Sequence, residues 1–464
     1  AKPSSSRLYS PLFPLPTPSI LTNMPEKNID ILINAGWVIP VVPRNTVLRN
    51  CSIAINGGRI IALLPSGEAQ QRFNATQQYN LPNSLLIPGL INAHGHAGMS
   101  LLRGYADDQK LHTWLNESIW PTESRWISEA FVHVGAELAI AEMLLGGTTC
   151  FSDMYFFPDQ TARAARSSGI RCQLAFPVLE FPSAWARNAD EYIHKGLALR
   201  DEYRDDSRIS ITFGPHAPYT VNDSTLAKIA TLAGELDAAI QIHLHESTEE
   251  ITQSMADHGQ RPIERLHQLG LLTPLTQCVH MTHLSDSDIA LLAESGSHVV
   301  HCPESNLKLG NGFCPVDALQ NAGVNIALGT DGAASNNDLN MLGEARTAAL
   351  IAKGVSGNPE LLPAHEALEL ATINSARALG IDTETGSIEA GKAADLVAID
   401  LAHIASQPLY NAFSQLIYTD SARHISHTWV NGKLLVENGQ LLTIDQKELI
   451  QKVQHWQTKI QTDR

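Results

Sequence analysis

Histidine and acidic residues end several β-like runs of this sequence, at positions where their side chains could share one metal ion. The first run ends in His94-Gly95-His96, the fifth in HLHE at 243–246, and the eighth in Asp331. Residues two apart on a strand point to the same side, so His94 and His96 can converge on one ion. Three neutral imidazoles and one carboxylate are suited to Zn²⁺ or Fe²⁺ and leave room for a water molecule. The pattern therefore predicts a metal site that performs hydrolysis.

The evidence for a metal site is stronger because the motifs lie at the ends of separate predicted strands. The chain contains 19 histidines, so one HxH motif alone would be weak evidence for a ligand pair. Here the HxH motif, the later HxxE motif and a terminal aspartate each close a different β-like run. Groups brought together from separate strand ends are typical of an active site.

Eight β-like runs alternate with helical stretches between about residues 88 and 385, which is the pattern of a parallel α/β domain. Intervening stretches such as 128–146 and 223–236 have apolar residues three and four apart, as amphipathic helices do. Eight βα units predict a (β/α)₈ TIM barrel, in which the chemistry lies where the strands end. The runs are LLIPGLINAH, GTTCFSDM, RCQLAFPV, ISITFGPH, AIQIHLH, TQCVHM, SHVVHC and VNIALGTD.

The two ends of the chain carry short β-rich runs of similar character. Residues 29–63 contain two such runs with Asn-Gly-Gly inside the second, and residues 394–442 contain others with Asn-Gly between them. Asn-Gly is a strong signal for a tight hairpin turn. We therefore expect one small β-sandwich domain built from both termini. The expected organisation is a flexible extension at 1–23, the first part of the β-sandwich at 24–87, the metal-dependent catalytic barrel at 88–385, the second part of the β-sandwich at 386–445 and a C-terminal helix at 446–464.

Composition restricts the classes of binding partner and the cellular compartment that we expect for this protein. A hydrophobic content of 44% and a charged content of 17% over 464 residues are typical of a soluble protein with a sizeable core. A net charge of −16 without a run of Lys and Arg argues against nucleic acid or an anionic membrane as partner. The six cysteines form no CxxC pair, and no apolar stretch is long enough to span a bilayer. These features favour a cytoplasmic protein with reduced thiols.

Longer motifs make the sequence resemble the amidohydrolases that deaminate purines and related rings. They follow the family's order and cover nearly all of the chain after about residue 28. Within that superfamily they are most similar to the 5′-methylthioadenosine/S-adenosylhomocysteine deaminases. The motifs are PGLINAHGHAGMSLLRG at 88–104, GPHAPYT at 214–220, IHLHES at 242–247, VHMTHL at 279–284, HCPESNLKLGNG at 301–312, LGTDGAASNNDLNM at 328–341, and ATINSARALG with GSIEAGKAADLVAIDL within 371–401.

The resemblance implies one divalent metal ion per subunit, with Zn²⁺ as the first choice and Fe²⁺ as the alternative. Other superfamily members hold two metals, bridged by a carboxylated lysine or a glutamate at the end of a middle strand. The fourth run here ends in Gly-Pro-His at 214–216 and offers neither group. The implied ligands are His94, His96, His243 and Asp331.

The resemblance also implies the catalytic roles. Asp331 would take a proton from the attacking water, and Glu246 would protonate a ring nitrogen and then pass protons to the departing ammonia. His280 would hydrogen-bond the attacking oxygen and stabilise the charge that develops there. The implied reaction converts the 6-amino group of an adenosine-type nucleoside into the inosine analogue and ammonia. The sequence leaves open whether His245, His283 and His301 line the site.

Substrate contacts are expected from three further segments as well as from Glu246. Residues 114–123 resemble the stretch that supplies a ribose-binding glutamate, which is Glu123 here, and a carboxylate suits two vicinal hydroxyls. The competing interpretation of Glu123 is a glutamate in the first turn of a helix, where the helix dipole favours it. The remaining candidates are Trp114, His216 and, in the loop after the third run, Trp185 and Arg187.

Three other functions fit the same motifs. A free-base deaminase acting on guanine, an oxidised purine or a pterin, and a triazine-type chlorohydrolase, use the same scaffold. A non-catalytic assembly protein is the third, and the complete set of ligands and proton-handling residues argues against it. Among these functions, Glu123 favours the deamination of a nucleoside. The partners expected are a small-molecule purine nucleoside and further copies of the chain in a homo-oligomer.

Overall fold

The computed structural model describes residues 27–462, whose strands form two eight-stranded sheets. The extension expected at residues 1–23 lies outside the described residues. The strands are β1 (Lys27–Val38), β2 (Leu48–Asn56), β3 (Arg59–Pro65), β4 (Phe73–Pro88), β5 (Leu90–Asn92), β6 (Thr148–Asp153), β7 (Arg171–Val178), β8 (Ile209–Pro215), β9 (Ile240–Leu244), β10 (Thr276–His280), β11 (His298–His301), β12 (Ile326–Leu328), β13 (Leu396–Asp400), β14 (Ile425–Val430), β15 (Lys433–Glu437) and β16 (Gln440–Leu441).

Helices connect the strands of the central part and cover their outer side. The helices are α1 (Ser66–Arg72), α2 (Leu111–Thr113), α3 (Trp120–Trp126), α4 (Glu129–Leu145), α5 (Pro158–Ser168), α6 (Ala189–Tyr203), α7 (Asp223–Leu236), α8 (Thr248–His258), α9 (Pro262–Gln268), α10 (Asp286–Ser295), α11 (Pro303–Lys308), α12 (Val316–Asn321), α13 (Ala333–Asn336), α14 (Met341–Ser356), α15 (Ala364–Leu370), α16 (Ile373–Ala378), α17 (Ala412–Tyr418) and α18 (Gln446–Thr462). A π-helical turn, Trp114–Ile119, lies between α2 and α3.

Strands β5 to β12 pair in chain order, each parallel to the next. The sheet closes on itself where the Ala93 amide donates to the Leu328 carbonyl at 2.8 Å. Barrel strands such as β7 are buried along their whole length, because helices cover one face and side-chain layers fill the other. The structure therefore confirms the predicted TIM barrel.

The first predicted barrel strand differs from the prediction, because the run LLIPGLINAH is divided between the two sheets. Its first half ends β4, which pairs with β13 in the terminal sheet up to Pro88. Only Leu90–Asn92 enters the barrel. Gly89 lies between them in close contact with Thr149, where an added Cβ would come within 2.0 Å of the threonine Oγ1. Backbone without a side chain at this junction lets one extended run serve two sheets.

The terminal strands form a single sheet in the order β16-β15-β14-β13-β4-β1-β2-β3. Its hairpins turn at Gly57–Gly58, Asn431–Gly432 and Asn438–Gly439, where positive φ angles suit Asn and Gly. Ile53 of β2 and Trp429 of β14 share one buried cluster, so the sheet curls over and encloses its own core. The structure thus confirms the additional β domain assembled from both ends of the chain.

Helix α18 packs along α4 at the C-terminal end of the described chain. The Trp456 ring meets the Phe131 ring edge-on, with centroids 5.3 Å apart. Leu449 and Ile460 are buried on the same side, and the other positions of the helix are mostly exposed. Within residues 27–462 no helix is both long and apolar enough to cross a membrane.

Candidate metal centre and active site

The four predicted metal ligands meet at the carboxyl ends of the barrel strands. His94 and His96 follow β5, His243 lies in β9, and Asp331 follows β12. Asp331 Oδ1 lies 3.1 Å from His96 Nε2 and 3.5 Å from His94 Nε2, and His94 Nε2 lies 3.2 Å from His243 Nε2. Ligand atoms of His94, His243 and His280 form a second group of three within 4.8 Å of one another. Five potential ligands therefore surround one point at the barrel mouth.

The ligand histidines are held by hydrogen bonds on the ring nitrogen that faces away from this point. Occupation of Nδ1 fixes the ring orientation and directs Nε2 toward the centre, as in histidine metal sites generally. The partners are the Gln241 Oε1 at 2.8 Å for His94, the Met154 carbonyl at 2.7 Å for His96 and the His216 carbonyl at 2.8 Å for His243.

Asp331 is held as a charged acceptor. Its Oδ2 accepts hydrogen bonds from the hydroxyls of Ser305 at 2.6 Å and Ser335 at 2.8 Å. Burial opposes its ionisation, but hydrogen bonds from His94 and His96 hold the pKa of Asp331 well below its usual range. Burial likewise opposes protonation of His96, yet its contact with Asp331 raises its pKa to about 9. A divalent cation binding here would displace the proton from this pair.

Glu246 and His280 stand beside the ligand cluster. Glu246 Oε1 accepts a hydrogen bond from Asn311 Nδ2 at 2.9 Å and lies 3.7 Å from His280 Nε2. Burial raises the pKa of Glu246 to about 8, and the charge of Asp331 adds to this shift. A carboxyl group with such a pKa can hold a proton near neutral pH and give it up, which suits a general acid.

The backbone that carries Glu246 is fixed from two sides. The Glu250 carboxylate accepts the His245 amide at 3.0 Å and the Glu246 amide at 2.8 Å. The Thr282 hydroxyl lies 2.9 Å from the His245 carbonyl and 3.0 Å from the Glu246 carbonyl. His245 adopts a positive φ of 52°, which is uncommon for a residue with a side chain. Glu250 and Thr282 thereby stabilise a turn that directs Glu246 into the site.

We expect Glu250→Gln to lower kcat while the metal content stays unchanged. The amide of the new side chain would place an N–H against a backbone N–H, which removes one hydrogen bond and leaves a buried donor unpaired. A loss of about 1–3 kcal/mol for such a group corresponds to a decrease of roughly five- to a hundredfold. The matched control is Glu249→Gln, because Glu249 is the preceding residue of α8 and is exposed. Equal kcat values for the two variants would contradict this positioning role.

One cavity of about 240 Å³ opens at the mouth of the barrel, and three of the four predicted ligands, His96, His243 and Asp331, line it. Glu123, in the first turn of α3, lines it, is only 9% exposed and accepts a hydrogen bond from Tyr155 Oη at 2.6 Å. Burial raises the pKa of Glu123 to about 7, against the effect of the Tyr155 hydrogen bond. Trp114 and His216 line the same cavity, with His216 Nδ1 placed 3.0 Å from Thr220 Oγ1.

Arg187 is the predicted site residue that the structure does not bring to the cavity. Its side chain is 84% exposed and pairs with Glu191 Oε2 at 2.6 Å. The two residues are four apart across the start of α6, which is the usual spacing for a surface ion pair. Trp185 is buried against Tyr192, with ring centroids 5.7 Å apart, and also lies outside the cavity lining. The part of this loop that lines the cavity is 181–184.

The three undecided histidines lie outside the cavity lining. His245 uses both ring nitrogens structurally, with Nδ1 at 2.9 Å from the His283 carbonyl and Nε2 accepting the Ile263 amide at 3.1 Å. His283 contributes its backbone to this arrangement, because its amide also donates to the His245 carbonyl at 3.4 Å. His301 is buried, and its Nδ1 has no partner among the described residues.

Sequence reasoning missed the residues that hold the ligands in place. Gln241 precedes His243 by two residues on β9, so its side chain lies on the same face of the strand. The Gln241 Nε2 donates to the Ala93 carbonyl at 3.0 Å, and its Oε1 faces His94 Nδ1. The two-residue spacing from His243 along the strand could have identified Gln241 from the sequence. Tyr155, by contrast, has no signal in the sequence, because only folding places it opposite Glu123.

Comparison with known proteins agrees with the fold. Residues 85–435 match the model of the amidohydrolase family, and the chain belongs to this family. Within it, a 5-methylthioadenosine/S-adenosylhomocysteine deaminase of Teredinibacter turnerae is 51% identical over 436 residues, which cover 94% of this chain and 99% of that protein. The chain therefore belongs with these deaminases.

Solved structures share the fold of this chain. An adenosine deaminase from Xanthomonas campestris with bound zinc is 46% identical and superposes with a TM-score of 0.93, over 94% of this chain and 100% of that one. An atrazine chlorohydrolase from Arthrobacter aurescens with zinc is 24% identical with a TM-score of 0.86, over 92% of this chain and 99% of that one. The chlorohydrolase is similar in fold alone.

Proposed function

We propose that this protein is a hydrolytic deaminase that replaces the 6-amino group of an adenosine-type nucleoside with oxygen and releases ammonia. The observation that carries the proposal is one cavity lined by Glu246, His280 and three of the four predicted metal ligands, with the buried carboxyl group of Glu123 in the same wall. The similarity to deaminases of methylthioadenosine, S-adenosylhomocysteine and adenosine supports it. Cytoplasmic location and a homo-oligomeric state stay predictions from the sequence.

The donor set fits one zinc ion. Three imidazole nitrogens and one carboxylate oxygen converge, and all four side chains have hydrogen-bond partners that orient them. When bound, a divalent metal activates water as a nucleophile near neutral pH. Strand β8 ends in Pro215, followed by His216, so among the described residues this strand end supplies no lysine or glutamate to bridge a second ion.

Proton transfer is assigned to two carboxyl groups. Asp331 accepts the proton of the attacking water; its Oδ1 faces the histidines of the site, and its Oδ2 is held by two serine hydroxyls. Glu246 delivers its proton to the ring nitrogen beside the carbon that is attacked. It then takes up the proton of the added hydroxyl group as the carbonyl forms, and passes that proton to the departing amine. The raised pKa of Glu246 lets one group both donate and recover a proton.

His280 is assigned to stabilise the oxygen that adds to the ring, which requires a proton on its Nε2. Its Nδ1 lies 2.9 Å from the side-chain amide of Asn306, and the Asn306 Nδ2 finds no partner among the described residues. Turning this amide by half a rotation would make Nδ2 the donor to His280 Nδ1. His280 would then carry its proton on Nε2, directed into the cavity.

The metal requirement is directly testable. The purified active protein should contain about one divalent ion per chain, and removal by a chelator should abolish ammonia release from methylthioadenosine. One equivalent of Zn²⁺ should restore it. The measurements are elemental analysis and an ammonia assay on the same samples. Two tightly held ions per subunit in the active protein would contradict the mononuclear assignment.

A further inference from the structure

The wall of the cavity beside Glu123 is apolar and aromatic. Trp120 precedes Glu123 by three residues in α3, so the two side chains share one face of the helix. The Trp120 ring lies 6.4 Å from the Phe181 ring, and Phe181 is 44% exposed. We call this surface the outer wall, and it comprises Leu111, Trp114, Leu115, Ile119, Trp120 and Phe181.

The outer wall lacks a partner for a negative charge. Of the cavity-lining residues in the described chain, 27–462, none is lysine or arginine. Arg187 is bound to Glu191 on the surface, and Lys308, next to the lining residue Leu309, pairs with Asp107 at 2.5 Å. Three carboxyl groups line the cavity: the predicted metal ligand Asp331, the proton donor Glu246 and the proposed ribose contact Glu123.

We propose that this site selects adenosine nucleosides whose 5′ substituent is short or apolar, such as a thioether, over those with a charged amino-acid tail. The inference rests on the proposed function and on the ribose contact of Glu123. A ribose held there would direct its 5′ substituent to the adjacent Trp120 and Phe181. Apolar groups and sulfur bind favourably to such a surface. The carboxylate of an amino-acid tail would lose its hydration at this wall without gaining a positively charged partner, which is unfavourable.

The test compares three nucleosides at the metal-loaded enzyme: methylthioadenosine, 5′-butylthio-5′-deoxyadenosine and S-adenosylhomocysteine. The butyl analogue matches the length of the homocysteine tail without its charges, so it separates charge from size. We expect kcat/KM for the two neutral thioethers to agree within about tenfold, and that for S-adenosylhomocysteine to lie at least about tenfold below the butyl analogue. Equal or higher kcat/KM for S-adenosylhomocysteine would overturn the inference.

A positive charge placed in the outer wall should weaken the discrimination against S-adenosylhomocysteine. Phe181→Arg should raise the ratio of kcat/KM for S-adenosylhomocysteine to that for methylthioadenosine by about fivefold or more, because the new guanidinium can pair with the carboxylate. The control is Met255→Arg, which adds the same charge at a residue that is 47% exposed and outside the cavity lining. An unchanged ratio in Phe181→Arg, or an equal rise in both variants, would overturn the assignment of the outer wall.

Different results would contradict the proposed function and the inference about the outer wall. If the metal-loaded protein deaminates none of the three nucleosides, the proposed function is wrong and the inference falls with it. If all three react and the charged tail is preferred, only the inference about the outer wall is wrong.

Discussion

Glu246→Gln should leave the metal in place and lower kcat for deamination by about 10²–10⁴-fold, the usual contribution of general acid–base catalysis. Glutamine has the shape of glutamate and can still accept the hydrogen bond from Asn311 Nδ2. It cannot hold and release a proton, so only the chemical step should suffer. The measurements are ammonia release under saturating substrate and zinc content per chain.

The comparison variant for Glu246→Gln is His243→Ala. His243 lies in the ligand cluster at 3.2 Å from His94 Nε2, so its removal should cost both metal and activity. The two variants together separate loss of chemistry from loss of the site. Turnover near that of the wild type in Glu246→Gln would refute the proton-transfer role, whatever the metal content.

Glu123→Ala should lower kcat/KM for methylthioadenosine by at least roughly a hundredfold. A carboxylate that accepts from the ribose 2′- and 3′-hydroxyls makes two charge-assisted hydrogen bonds worth about 1.5–3 kcal/mol each, and 1.4 kcal/mol is about a factor of ten. The 2′,3′-dideoxy analogue should show a similar loss with the wild type. The analogue should also be insensitive to the mutation, because both changes remove the same interaction.

Tyr155→Phe distinguishes a ribose-binding role of Glu123 from a purely structural one. Glu123 accepts a hydrogen bond from Tyr155 Oη at 2.6 Å, so a purely structural glutamate would make the two substitutions equally harmful. A ribose-binding glutamate instead predicts a much smaller loss in Tyr155→Phe, since the carboxylate stays. If Glu123→Ala slows the dideoxy analogue as much as methylthioadenosine, the ribose contact is wrong.

The barrel, and the meeting of the predicted ligand residues at its mouth, were predictable because they depend on local rules. Side chains alternate along a strand, and parallel strands end at one edge, so HxH at 94–96 and Asp331 must face the same mouth. The division of LLIPGLINAH was not predictable from its continuous apolar pattern. It depends on the contact of Gly89 with Thr149, which is distant in the sequence and exists only in the fold.

Residues that act through long-range contacts were the least predictable. Arg187 is a different case, because its partner Glu191 is only four residues away and holds it on the surface. Tyr155 contacts Glu123 across 32 positions of sequence, and Asn311 contacts Glu246 across 65. Such pairs follow from the packing of separate βα units, which no local pattern encodes.

The most direct test of the central claim is the substrate preference of the zinc-loaded protein. We would measure kcat/KM by ultraviolet absorbance, with ammonia as a second readout, for methylthioadenosine, adenosine and guanine. The account predicts that the adenosine nucleosides are converted to their inosine analogues with one ammonia each, and that guanine is turned over far more slowly. Guanine turnover exceeding that of every adenosine derivative, with Glu123→Ala still fully active, would contradict it.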